Sequence, residues 1–134
     1  MAGEPILIVD DNPVNLKLAR VLLASEGYEV RTATDAEEAW QVLESFSPRL
    51  ILMDIQLPGI DGLELTRRLK GDPARRSTII LALTAYAMKG DQERMLAAGC
   101  DGYVAKPIDT RTLPTRIAEF LRAADGGRPD GAGA

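Results

Sequence analysis

Three short runs of this 134-residue chain are almost wholly aliphatic: Ile6-Leu7-Ile8-Val9, Leu50-Ile51-Leu52-Met53 and Ile79-Ile80-Leu81-Ala82-Leu83. Strands with no polar alternation must be covered on both faces, which is the situation of the inner strands of a parallel sheet. Amphipathic stretches lie between the runs. Ala36, Ala39, Trp40, Leu43 and Phe46 recur at helical spacing, as do Leu113, Ile117, Phe120 and Leu121. The pattern predicts strands over residues 6–10, 29–32, 50–54, 79–84 and 103–106, each followed by a helix. Five β-α units in a row demand a doubly wound, five-stranded parallel sheet of the α/β class, (βα)5, with helices on both faces and right-handed crossovers.

Local signals agree with that division. Asn12 reads as the cap of the first helix and Pro13 as its first residue. Gly27 and Gly99 read as left-handed residues that close helices. Asp35 with Glu38, and Asp61 with Glu64, have capping-box spacing. Pro114 falls early in the last helical pattern. A proline beyond the first turn loses a backbone bond and clashes, so that helix is expected to begin near Leu113 with Thr112 as its cap. The Gly/Ala-rich tail, residues 125–134, reads as disordered, leaving one domain over residues 1–124.

Sites in open sheets of this type form beyond the carboxyl ends of the strands. Asp10, Asp11, Asp54, Thr84 and Lys106 all fall at such ends. Three carboxylates brought to one edge repel each other and call for a cation. All donors are oxygens, which suits a hard ion such as Mg²⁺, with Mn²⁺ an acceptable substitute.

Composition narrows the function further. The net charge is −4, so there is no basic field for nucleic acid or an anionic membrane. The single cysteine, Cys100, excludes an internal disulfide and suits a reducing compartment. There is no histidine, hence no phosphohistidine or imidazole base within the chain. No apolar run approaches the roughly 20 residues that span a bilayer, and the N-terminus lacks a secretory signal. A cytoplasmic location is the default expectation.

The ordered set resembles the receiver domain of two-component response regulators, a flavodoxin-like (CheY-like) fold. Its elements are Asp10-Asp11 after the first strand, Asp54 after the third, Thr84-Ala85 after the fourth and Lys106-Pro107 after the fifth. The resemblance covers residues 5–122. The stretches Leu52-Met53-Asp54-Ile55-Gln56-Leu57-Pro58 and Ala87-Met88-Lys89-Gly90-Asp91 are similar to single-domain regulators of the DivK type and to receivers fused to hybrid sensor kinases. It implies that Asp54 is the phosphoacceptor, and that Asp10, Asp11, Asp54 and the main-chain carbonyl of Gln56 hold Mg²⁺. It also implies that Lys106 balances the charge, that Thr84 and Tyr103 form the switch, and that the Lys106–Pro107 bond is cis. Gln56 and Tyr86 would modulate water access to the acyl phosphate.

The implied function is a stand-alone regulator. It would be phosphorylated by a sensor histidine kinase, would signal by phosphorylation-dependent contact with a target protein, and would not be an enzyme beyond losing its own phosphoryl group. A phosphorelay carrier and a receiver cut from a hybrid kinase share the same site. An aspartate-nucleophile phosphatase needs a second acid two residues after the nucleophile. Gln56 occupies that position, so the required group is missing.

Overall fold

The computed structural model describes residues 3–57, 62–85 and 89–126. Strand and helix alternate: β1 (Pro5–Val9), α1 (Pro13–Ser25), β2 (Glu29–Ala33), α2 (Ala36–Leu43), β3 (Leu50–Asp54), α3 (Gly62–Lys70), β4 (Ile79–Thr84), α4 (Lys89–Ala98), β5 (Gly102–Ala105) and α5 (Leu113–Gly126). All strand pairs are parallel, in the order β2-β1-β3-β4-β5. The expected doubly wound sheet is therefore present.

Side-chain alternation along the aliphatic strands divides their residues between two cores. Leu7, Val9, Ile51, Met53, Ile80 and Ala82 face the layer that contains α2, α3 and α4. Ile6, Ile8, Leu50, Leu52, Ile79, Leu81 and Leu83 face α1 and α5 through Ala19, Leu23, Leu113, Ile117 and Leu121. Such strands carry no polar alternation because both faces are dry. Each fully buried Leu or Ile contributes about 1.5–3 kcal/mol. Burying both faces of β1, β3 and β4 thus makes these strands a stiff platform for whatever follows their carboxyl ends. Cys100 belongs to the first core, and burial pushes its thiol pKa up, as suits a packing residue.

The helix boundaries follow local chemistry. Asn12 Oδ1 accepts from the Val14 and Asn15 N–H groups, with Pro13 in the first turn. Asp35 accepts from Glu38 N at 2.8 Å. Glu38 reaches back one residue further than a strict capping box, taking the N–H of Thr34. Gly27 and Gly99 have φ of 96° and 107°. At α5 the Thr112 carbonyl accepts from Arg116 N at 3.0 Å. Pro114 therefore lies inside the first turn, where its missing N–H costs nothing.

Several boundaries differ from the sequence reading. β1 runs one residue earlier than expected, so Asp10 lies just past it, and β2 extends one residue further, to Ala33. Phe46 lies beyond α2, buried, with the Arg31 guanidinium 4.9 Å from its ring. β5 ends at Ala105, so Lys106 sits just past the strand. α5 continues beyond residue 124 to Gly126, because Ala123 and Ala124 are good helix formers and Ala124 packs on the second core. Asp61, Tyr86, Met88 and residues 127–134 lie outside the described residues. Glu64, the other half of the Asp61 pairing, bonds Arg67 and Arg68 at 3.0 and 3.1 Å.

Candidate functional site

Parallel order sets β1 and β3 side by side, with β4 and β5 beyond them. The carboxyl ends of β1 and β3 therefore deliver their acids to one spot. Asp10 follows β1, is fully buried, and accepts from Asn12 N through Oδ1 at 2.8 Å. Asn12 in turn caps α1, which leaves Asp10 free of a capping role. Asp54 ends β3 and is 1% exposed. Its Oδ1 accepts from Gln56 N at 2.9 Å, and its Oδ2 accepts from Lys106 Nζ at 2.9 Å. Asp11 is exposed at the rim. Asp10, Asp11 and Asp54 each offer an oxygen, and these oxygens lie within 4.8 Å of one another.

Lys106 is positioned by its backbone. Its N–H donates to the Thr84 carbonyl at 2.8 Å, continuing the β4–β5 ladder by one residue, and the Lys106–Pro107 bond is cis. The ammonium group also stands 3.8 Å from Asp10 Oδ2, too far for a hydrogen bond. That oxygen is buried and has no hydrogen-bond partner among the described residues. The Asp10 carboxyl is pushed up to about 6, first by burial and then by the Asp54 charge, against the pull of Asn12 N–H and Lys106. A buried, unsatisfied carboxylate oxygen facing two more carboxylates fits a divalent cation. With all three acids ionised, one ammonium leaves a charge of −2, which such an ion cancels. The all-oxygen donors match Mg²⁺.

The remaining predicted residues are distributed as follows. Gln56 is exposed at the rim, two residues past Asp54. Thr84 ends β4 and is 1% exposed, one step beyond Leu83, the register partner of Asp54. Tyr103 on β5 is half-buried and pairs with Ala82 in register. Tyr103 is bracketed by two helices: Gln92 Nε2 of α4 donates to its hydroxyl at 3.2 Å, and Arg116 of α5 donates to its carbonyl at 2.9 Å.

Sequence reasoning passed over one residue at this site, Gly62. It opens α3, and its N–H donates to the Ile55 carbonyl at 3.3 Å. A Cβ there would overlap the Asp54 carbonyl oxygen and come within 2.8 Å of the Ile55 Cα. Only glycine lets the start of α3 approach the backbone that carries Asp54 so closely. The available signal was an isolated glycine directly before an apolar helical run, which looks like an ordinary loop end.

Comparison with known proteins identifies the arrangement. The family model described as the response regulator receiver domain matches residues 6–118. The chain belongs to the response regulator receiver family. A polar-differentiation response regulator DivK from Brucella anthropi is 43% identical over 118 residues, 88% of this chain and 96% of that protein. Its counterpart from Brucella ovis matches to the same extent. Among solved structures, a CheY-like receiver domain protein from Methanospirillum hungatei JF-1 superposes with a TM-score of 0.85 at 33% identity, covering 94% of this chain and 99% of that one. The receiver domain of a sensor histidine kinase from Pseudomonas aeruginosa PAO1 gives a TM-score of 0.78 at 38% identity, covering 93% and 99%. That structure has a magnesium ion coordinated in the active site cleft. Receivers are signalling domains of two-component systems, not classical enzymes, and the acidic cluster of Asp10, Asp11 and Asp54 is compatible with bound Mg²⁺. No helix among the described residues is long and apolar enough to cross a membrane.

Proposed function

We propose that this receiver accepts a phosphoryl group on Asp54 from the phosphohistidine of a sensor histidine kinase and signals through a changed contact with a protein target. The observation that carries the reading is the pairing of Asp54 Oδ2 with Lys106 at 2.9 Å beside a buried Asp10 Oδ2 that has no hydrogen-bond partner among the described residues. Asp10, Asp11, Asp54 and the main-chain carbonyl of Gln56 would hold Mg²⁺, with Mn²⁺ able to replace it. The bound ion would supply Lewis-acid withdrawal of charge from the incoming phosphoryl group.

In the step itself an Asp54 carboxylate oxygen forms the new P–O bond as the P–N bond to the donor imidazole breaks. Lys106, already in place, neutralises charge on the carboxylate and then on the phosphoryl oxygens. Thr84, at the neighbouring strand end, would donate its hydroxyl to a phosphoryl oxygen, and Tyr103 would respond to that movement as the second half of the switch. Gln56 and Tyr86 would control water access to the acyl phosphate. The phosphodonor and target are proteins, the location is cytoplasmic, and neither nucleic acid nor membrane takes part.

Intact-protein mass after incubation with a small phosphodonor tests the reading. A single phosphoryl adduct should form with Mg²⁺ and be lost with chelator and in Asp54→Asn. A folded protein that takes up no adduct from either the small donor or a phosphohistidine protein overturns it.

A further inference from the structure

Tyr103 and Thr84 leave adjacent strands on the same face of the sheet. Tyr103 pairs in register with Ala82, and Thr84 lies two residues further along β4. Diagonal same-face neighbours are within reach of an aromatic side chain, and the residue between them, Ala82, is small. α4 packs over this same face through Met95 and Ala98, and Tyr103 packs against that core. The tyrosine hydroxyl therefore has two destinations. One is the Thr84 side of the face. The other is Gln92 of α4, whose amide holds it at 3.2 Å. The Tyr103 backbone is fixed meanwhile by Arg116, at 2.9 Å from its carbonyl, so only the side chain is left to move.

We propose that Gln92 is a positioning residue that tethers Tyr103 to α4 and opposes the phosphorylated state. The proposal rests on the reading of Asp54 as phosphoacceptor and Thr84 as its responder. Any event that draws Tyr103 toward Thr84 must first break the Gln92 bond. By linkage, removing that bond makes the switched state easier to reach and tightens binding of whatever favours it. A neutral hydrogen bond of this kind sets the equilibrium by about threefold to tenfold. The same tether ties the tyrosine to half-buried Gln92 of α4, so a target that rearranges Gln92 would change the readiness of Asp54 to hold phosphate.

The test uses the full chain with carbon-13-labelled tyrosine rings, the Tyr103 resonance being assigned through Tyr103→Phe. Beryllofluoride with Mg²⁺ serves as the phosphoryl mimic. Gln92→Leu keeps helix propensity and bulk. It should move the Tyr103 resonance of the free protein toward the beryllofluoride-bound position and raise beryllofluoride affinity about threefold to tenfold. Gln92→Glu, whose carboxylate can accept from the hydroxyl in place of the amide's donation and so re-form a tether of reversed direction, should restore the wild-type values. In a Tyr103→Phe background Gln92→Leu should have no effect on affinity, a non-additivity that a merely structural role does not produce. A Gln92→Leu protein with wild-type resonance and affinity overturns the proposal, as does an affinity gain that persists without the tyrosine hydroxyl. Wild-type protein that neither binds beryllofluoride nor takes up phosphate overturns the phosphoacceptor reading and the tether with it.

Discussion

Lys106 Nζ lies 2.9 Å from Asp54 Oδ2, a pair that joins positions 52 residues apart, with both side chains largely removed from solvent. Breaking a buried pair by deleting one partner leaves the other charge uncompensated. Lys106→Met should therefore lower stability at neutral pH by about 3 kcal/mol in the absence of divalent ions. Mg²⁺ should restore much of that loss, since it can supply the missing positive charge. Chemical unfolding with and without Mg²⁺ measures both effects, and a variant as stable as wild type would show that the pair contributes little.

Asp10→Asn should have the opposite sign. The amide keeps an acceptor for Asn12 N–H, removes a buried negative charge, and offers Asp54 a donor. Without Mg²⁺ the variant should be more stable than wild type by about 1–2 kcal/mol at pH 8, while the stabilisation by Mg²⁺ should largely vanish. Wild type and variant melting together in chelator would refute the repulsion argument.

The elevated Asp10 carboxyl gives a pH dependence with a defined direction. Its pKa in the folded chain is about 6 against an ordinary 3.8. Between these values the native state binds more protons than the unfolded state, so stability falls as pH rises. The contribution is fully present below about pH 4 and lost above about pH 6, on the order of 3 kcal/mol at most. Mg²⁺ competes with the proton for the same oxygens, so its affinity should rise with pH over the same window. Urea titrations of wild type and Asp10→Asn across pH 4–8 in chelator isolate the term as the difference between the two curves.

Gly62→Ala should impair the site more than the fold. The added methyl would meet the Asp54 carbonyl and the Ile55 Cα, and α3 or the end of β3 must give way. Phosphoryl uptake and Mg²⁺ affinity should each fall by roughly tenfold or more, since a displacement of the reacting group of about 1 Å has large effects. Gly99→Ala is the control. It forces a strained left-handed residue, φ 107°, against Lys70, away from the carboxyl ends of the strands. It should lose stability while keeping Mg²⁺ affinity.

Much of the architecture was legible because it is written in short-range patterns. Strands such as Leu50–Asp54 need no alternation when both faces are buried, and Asn12, Pro13, Gly27, Gly99 and Pro114 mark boundaries through properties of one or two residues. The acids, threonine and lysine at strand ends were visible for the same reason. The end of α5 was misjudged because a Gly/Ala composition says nothing about whether Ala124 finds a core to pack on.

The sequence by itself determined which residues could meet: five strands, their order of appearance, and a polar group after each of four carboxyl ends. Only the tertiary structure decided how they meet. It leaves Asp10 Oδ2 buried without a hydrogen-bond partner among the described residues while Lys106 pairs with Asp54, ties the Tyr103 hydroxyl to Gln92, and presses Gly62 against the Asp54 carbonyl. Each of these relationships depends on distances of a few ångströms between segments far apart in the chain. Residue type and spacing constrain direction and periodicity, whereas such distances arise from the packing of whole layers.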